Sequence, residues 1–283
     1  MPNLGIGLGL PKTVNITNNP ILNRIGGSVV AYSLRKISAS ATKAIRVRRD
    51  NDHEEQDIGF VGRDLDTVSL LSFVGSNNGF VTTWYDQSGN GNDATQSTAD
   101  NQPRIVNAGV VEVDDYGRPT IAGVSANSTQ LVTGAVFSYT QLHAFVVGKF
   151  SADQTAFFQF GSTNTNGNLF TFSSNTVSAR TSLSPETVAS ISVATCKTTS
   201  NIYSVSYETD LRQIYANGVK GTDGTGSSTL NVTNSALTLL SRNGSYCNEG
   251  FNSEFIFFTS ILTDTQRQKL EQNQSKYYGI TLA

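Results

Sequence analysis

From Leu142 to Ser260 the chain keeps one rhythm, in which short runs rich in Val, Ile, Phe, Tyr and Thr are broken by turn residues every eight to twelve positions. The runs read LHAFVVGKF, AFFQFGS, NLFTFSS, SISVATCK, NIYSVSYET, LRQIYANGVKG, ALTLLSR and NSEFIFFTS. β-Branched and aromatic residues fit a pleated, half-buried surface, and breaks this frequent leave no room for long helices. The pattern predicts an all-β fold, an antiparallel two-sheet sandwich with short helices. Asn217-Gly218 at the tip of IYANGVKG is a strong hairpin signal. The composition agrees: 37% of residues are hydrophobic, only 15% are charged, and 25 are glycine.

The front of the chain is organised around FVTTWYDQSGNGNDATQ, Phe80 to Gln96. It begins as an alternating strand that carries the only tryptophan, Trp84. It then breaks into DQSGNGND, where Gly89 and Gly91 supply left-handed backbone and Asn90, Asn92 and Asp93 can bond their own backbone. A loop so specified is either a ligand rim or a knot that fixes the strands around it. As a rim, its binding residues would be Trp84, Tyr85, Asp86, Asn90, Asn92 and Asp93. As a knot, Trp84 is buried and Asp86 accepts backbone N–H groups. A calcium reading of the same oxygens lacks the bidentate acid, since Ser97 falls where it is needed. We therefore expect no metal and no cofactor.

Around this stretch, VVAYSLRKI and AIRVRRD read as strands, with PRIV, VVEVDDYGRPTIAG and QLVT after it. DLDTVSLLSFV, with Leu65, Val68 and Leu71 as its apolar side, reads as a short helix capped by Asp64 or Asp66. Arg46, Arg48 and Arg49 are expected to form a local ion-pair lattice with Asp50, Asp52, Glu54, Glu55 and Asp57. LTDTQRQKLEQNQSKYYGI reads as a closing helix capped at Thr263 or Asp264 and ended before Gly279. His143, in an apolar run, is expected to be a satisfied strand histidine. Cys196 and Cys247 make neither a disulfide framework nor a metal cluster, and are expected as free thiols.

Residues 1–27 differ from the rest. Leu4, Ile6, Leu8 and Leu10 alternate with glycines and other small breaks, and Pro11, Pro20 and Gly26-Gly27 follow. We read an extended assembly arm, followed by one domain over 28–283, with the arm adding a strand to another chain's sheet edge. Ile16, Ile21, Leu22 and Ile25 are further anchors of that arm. The net charge of −2 gives no reason to expect nucleic acid or an anionic membrane. No apolar run is long enough to span a bilayer, and no Sec-type signal is visible.

The order of elements resembles a concanavalin A-like, laminin-G-type jelly roll. The strand LHAFVVGKF, the hairpin YSVSYETDLRQIYANGVKG, the strand FNSEFIFFTSILT and the closing helix carry the likeness. The front half, through YDQSGNGN at Tyr85 to Asn92, resembles the catalytic domain of the family 54 α-L-arabinofuranosidases. Retaining hydrolysis needs two carboxyl groups about 5 Å apart. The resemblance implies a nucleophile within Asn168 to Arg180, which holds no acid, and an acid/base at SRNGSYC, where Arg242 and Asn243 stand. The family's adjacent cysteine pair is missing as well. Glu249 and Glu254 are the remaining acids that could be rearranged into a site. The expectation is no catalytic residues and no enzyme.

Sequences of this front-half kind without the acids resemble domains of phage and other virion structural proteins. The resemblance implies a capsid decoration or fibre/adhesin subunit on the virion's outer surface, assembled in the host cytoplasm. Its partners would be other virion proteins through the arm, copies of itself in a homo-oligomer, and a host surface glycan. The alternatives are a carbohydrate-binding module and an arabinofuranosidase-like glycosidase with relocated acids.

Overall fold

The computed structural model describes residues 19–123, 128–153, 155–161, 168–171, 175–180, 188–225, 232–241 and 247–283. Leu4, Ile6, Leu8, Leu10 and Ile16 of the expected arm, and Arg242 and Asn243 of the expected acid/base turn, lie outside them. The described chain begins with α1 (Leu22–Ile25), β1 (Val30–Ser33), β2 (Lys43–Arg49), β3 (Glu55–Val61) and β4 (Asp64–Leu65). Next come α2 (Thr67–Val74), β5 (Gly79–Trp84), β6 (Ala94–Thr95), β7 (Arg104–Asn107), β8 (Val110–Val111) and β9 (Ile121–Ala122). The sandwich continues with β10 (Leu131–Tyr139), β11 (Leu142–Lys149), β12 (Ala156–Phe160), β13 (Asn168–Thr171), β14 (Thr176–Arg180) and β15 (Ala189–Ser192). It closes with β16 (Asn201–Tyr207), β17 (Leu211–Ala216), β18 (Val219–Lys220), β19 (Gly224–Thr225), β20 (Val232–Leu239), β21 (Phe251–Phe258) and α3 (Asp264–Tyr278).

The pairings between these strands are antiparallel and run in two series. One is β1–β21–β11–β16–β17, with β18 and β19 continuing from β17. The other is β3–β2–β5–β6–β10–β20–β12–β13–β14–β15. Short β9 joins them, since Ala122 pairs with both Phe251 of β21 and Arg104 of β7. The fold is an all-β sandwich, as the spacing of turns predicts.

Alternate residues of the first series face the second. Phe257 meets Phe137, Tyr139 and Phe160 at ring-centroid distances of 5.9, 5.2 and 4.8 Å, and Phe255 meets Phe158 at 5.1 Å. Aromatic rings supply much of the area that such an interface removes from water. The intervening residues are buried too. Ala31, Phe145, Ile256 and Phe258 pack with Ile21, Leu22, Ile37, Leu262 and Leu270 under α3 and the segment before β1. Val147 and Ile202 pack with Tyr278 and Ile280. With both faces covered, β11, β16 and β21 are buried almost throughout, which is why their sequences read as unbroken apolar runs.

This second layer corrects the extent of the arm. Residues 19–27 were expected to reach another molecule, but Ile21 is 1% exposed and the Leu22 N–H donates to Ile37 O at 3.0 Å. Ile21 and Leu22 close the chain's own core. The apolar side of α2 is also corrected. Leu70 and Val74 face inward, whereas Val68 is 79% exposed, because Leu65 lies in β4 outside the helix and the buried stripe runs through Leu70 and Val74 at i, i+4 spacing. Asp66 is its cap, accepting from Ser69 N at 2.9 Å.

The remaining local expectations hold. The closing helix carries a capping box at Thr263 and Gln266, and Asn217-Gly218 turns β17 into β18 with both residues at positive φ. The ion-pair lattice forms through Arg46 with Glu55 and Asp57, and Arg49 with Asp52. Arg48 leaves it, donating to Gln102 Oε1 at 2.7 Å. Cys196 and Cys247 are free, and burial raises both thiols. His143 is buried with Nε2 3.0 Å from Ser204 Oγ, while Nδ1 accepts from Leu262 N at 3.2 Å.

Two outcomes follow from these contacts. Ile21→Ala should lower stability by about 2–4 kcal/mol in urea denaturation, while Val68→Ala stays within about 0.5 kcal/mol. Burial, with the Arg267 charge, brings His143 down from 6.5 to about 3. The unfolded chain therefore binds a proton that the folded chain refuses as pH falls below 6.5. Stability should drop by up to about 1.4 kcal/mol per pH unit from this group, and His143→Gln should flatten that slope in urea midpoints measured between pH 7 and 5.

Candidate functional site

The loop of residues 85–93 opens from a strand pair in which Trp84 faces Ala94. Gly89 and Gly91 sit at φ 92° and 73°, so the chain can fold back there with no Cβ in a forbidden position. The returned loop lies along the edge of β1 that β21 leaves free. Gln87 N donates to Ala31 O at 2.8 Å, and Ala31 N donates to Asp86 Oδ1 at 2.9 Å. Ser88 Oγ, Asn90 Nδ2 and Asn92 Nδ2 all reach Val29 O, at 3.2, 3.0 and 3.0 Å. The Gln87 amide takes Ile37 N on its oxygen and gives its N–H groups to Ser33 O and Arg35 O.

Asp86 is the centre of this arrangement. Beyond Ala31 N, its carboxylate accepts Ser88 N at 2.9 Å, Ser88 Oγ at 2.6 Å and Asn92 N at 3.1 Å. Trp84 is 0% exposed, with its ring 5.7 Å from that of Tyr32, whose hydroxyl donates to Asn92 O. The structure thus places the six loop residues in three groups. Trp84 lies in the core, and Asn90 and Asn92 spend their amides on β1. Tyr85, Asp86 and Asp93 line a cleft.

That cleft, about 280 Å³, is bounded by Ser40, Thr42, Lys43, Tyr85, Gly89 and Asp93. Lys43 Nζ lies 5.3 Å from the Tyr85 ring centre and 2.5 Å from Asp57 Oδ2. The Tyr85 hydroxyl donates to Asp57 Oδ1 at 2.6 Å. Burial would raise Asp57, but hydrogen bonds from Lys43 and Tyr85 and the charges of Lys43 and Arg46 hold it below the usual carboxylate range. Asp93 moves the other way. Burial raises it, the Asp86 N–H bond at 2.8 Å only partly offsets this, and the Asp86 charge adds to the rise. The lining therefore sets an aromatic ring and an ammonium beside the Asp93 carboxyl, and Asp57, outside the lining, holds both Lys43 and Tyr85 in place. Lys43 and Asp57 are the residues that sequence reasoning missed as site members. The sequence shows Asp57 only as part of an ion-pair lattice and does not single out Lys43; the β2–β3 pairing, Lys43 opposite Gly59, brings the two together.

The other acids stand elsewhere. Glu254 is fully buried, holding Arg35 Nε at 2.7 Å and Nη2 at 3.0 Å along with Ser33 Oγ and Gln274 Nε2. It locks α3 to the sheet and has no access to a ligand. Glu249 is exposed, and the region 168–180 contributes β13 and β14 without an acid. Asp86→Ala would leave three backbone N–H groups without their acceptor. It should cost roughly 1–3 kcal/mol, read as a lowered urea midpoint, with Asp86→Asn costing less.

No protein-family model matches this chain, and no curated protein matches it by sequence. Solved structures do. An arabinofuranosidase complexed with arabinofuranosyl-α-1,2-xylobiose superposes with a TM-score of 0.70 at 16% identity, over 89% of this chain and 63% of that one. A point variant of a GH54 α-L-arabinofuranosidase soaked with 4-nitrophenyl α-L-arabinofuranoside gives 0.67 at 14% identity, with the same coverage of each chain. The chain thus spans under two thirds of the length of these proteins. A carbohydrate-binding module of Ruminococcus gnavus sialidase, bound to α2,3-sialyllactose, matches at only 0.38 and 12% over 52% of this chain, too shallow to bear on function. The expectation of a non-enzyme is corrected by the first two matches, because the fold is one that glycosidases use. That expectation rested on two motif positions. At such low identity strands keep their places while motifs drift, and carboxylates can reach a cleft from other strands. The fold is that of the arabinofuranosidase sandwich.

Proposed function

We propose that this chain is a carbohydrate-engaging head built on a concanavalin A-like, arabinofuranosidase-type sandwich, with a sugar held in the Lys43–Tyr85–Asp93 cleft. One observation carries the reading: the cleft joins a part-exposed tyrosine ring to an ammonium and two carboxylates, those of Asp86 and Asp93. A ring face that stacks, edged by groups that take and give hydrogen bonds, suits a polyhydroxylated ring. The fold shared with arabinofuranosidases supports the same ligand class.

We also place this head on a virion surface, as a capsid decoration or fibre/adhesin subunit of a homo-oligomer. The support is the sequence of the arm, whose Leu4, Ile6, Leu8 and Leu10 alternate with glycine like a strand that lacks a partner. Since residues 20–25 belong to the core, the assembly element is confined to residues 1–18.

Hydrolysis is the second reading, favoured by the Asp93 carboxyl on the cleft wall, which burial raises. In it Asp93 donates a proton to the leaving oxygen.

Titration with 4-nitrophenyl α-L-arabinofuranoside and arabino-oligosaccharides tests both. Saturable binding should weaken at least roughly tenfold in Tyr85→Ala, and binding untouched by that change would remove the sugar from this cleft. Any turnover should vanish in Asp93→Asn. It should also fall as pH rises and the raised Asp93 carboxyl gives up its proton. Deleting residues 1–18 should leave the melting temperature nearly unchanged while abolishing oligomer or particle joining, measured by light scattering.

A further inference from the structure

A second cleft, sharing no lining residue with the first, lies where the C-terminal half of α3 meets the β3–β4 turn. It holds about 260 Å³ and is lined by Arg35, Arg63, Asp64, Arg118, Asn273, Lys276 and Tyr277. Four of the seven are cations. Arg35 forms the floor and is already neutralised by Glu254, with its Nη1 donating to Asn273 Oδ1 at 2.7 Å. Two guanidinium groups lie over the Tyr277 ring, Arg35 at 4.9 Å and Arg118 at 4.4 Å, and its hydroxyl donates to Asp64 Oδ1 at 2.7 Å. Asp64 is shared with Arg118 at 3.6 Å and is 61% exposed on its side chain.

Arg63 and Lys276 are left over. Among the described residues neither has a carboxylate within ion-pair distance, and the buried Arg63 Nε has no hydrogen-bond partner. A buried guanidinium N–H with no acceptor is costly, and native proteins rarely leave one. Counting Glu254 and Asp64 against the four cations, the cleft carries a local excess of two positive charges in a chain whose net charge is −2.

We propose that this cleft is an oxyanion site, in which Arg63 and Lys276 take a carboxylate, sulfate or phosphate group that supplies the missing acceptor. Guanidinium forks match planar and tetrahedral oxyanions bidentately, and the ammonium adds a point charge. The stack of Arg35, Tyr277 and Arg118 pre-sets the wall, so little side-chain ordering is left for the ligand to drive. Asp64 is the opposing charge. It holds Tyr277 and Arg118 in place and repels the anion, so the site is tuned for moderate affinity.

The test is an NMR titration of the full chain, following the Arg63 Nε–Hε cross-peak with sulfate, inorganic phosphate, glucuronate and glucose. The expected result is a saturable shift with the three anions and none with glucose. Arg63→Gln/Lys276→Gln, whose side chains lie outside the core, should fold as wild type by circular dichroism. It should bind anions roughly tenfold more weakly, read by isothermal titration calorimetry. Asp64→Asn keeps an acceptor for Tyr277 and should bind several-fold more tightly. Glucuronate binding tighter than sulfate would assign the oxyanion to an acidic sugar, and equal binding would assign it to a free inorganic ion. A shift shared by glucose, affinity unchanged in the double variant, or weaker binding in Asp64→Asn would overturn the proposal.

Discussion

Strand β1 has two edges, and the architecture of the front half follows from how the second one is satisfied. On one side it pairs with β21 through four residue positions. On the other, no strand pairs with it among the described residues, and buried backbone groups cannot be left without partners. The loop after β5 fills that place with backbone and side-chain donors, and with the Asp86 carboxylate as the acceptor for Ala31 N. Because β5 belongs to one series of strands and β1 to the other, this loop staples the two layers together. The Tyr32–Trp84 contact lies directly beneath it. The same fold-back leaves Tyr85 and Asp93 on the outer side of the loop, where the first cleft forms.

The first series of strands is covered twice, by the second series on one face and by α3 with the 20–25 segment on the other. Burying both faces places charge where it must be paired. Arg35 and Glu254, both fully buried, join β1's end to β21, and Gln274 and Tyr278 of α3 complete the carboxylate's partners. Removing either charge would leave the other buried and uncompensated, which is far more damaging than the pair is stabilising. Farther out on α3 the same logic is not completed. Tyr277 is held by the Arg35 and Arg118 guanidinium groups, but Arg63 and Lys276 beside it have excess charge and open space.

The two clefts differ in chemistry although they lie on one domain. The first sets carboxylates around an aromatic ring and a single lysine. The second gathers guanidinium groups around a tyrosine. A net charge near zero conceals both, since it sums over groups whose effects are local and screened beyond a few ångströms to tens of ångströms.

Local chemistry was legible in the chain itself. Turn spacing showed the fold class, Asn217-Gly218 a hairpin, Thr263 a helix cap, and Gly89, Gly91 and Asp86 a loop that satisfies its own backbone. Each of these acts within a few residues, so sequence order is enough to see it. What depended on distant partners was not legible. Ile21 and Leu22 looked like anchors for another molecule because the sequence does not show that Phe145, Ile256 and Leu270 leave a vacancy beside them. Val68 looked inward because Leu65 was counted on its helix face, whereas Leu65 belongs to β4 and the buried stripe runs through Leu70 and Val74. Glu254 looked available because only the folded chain brings Arg35 to it, from 219 residues away in sequence. Lys43 and Asp57 showed themselves as a site only once strand pairing had set them against Tyr85 and near Asp93. Sequence determines which bonds a segment can make with itself, and tertiary structure decides which buried surfaces and charges find one another across the chain.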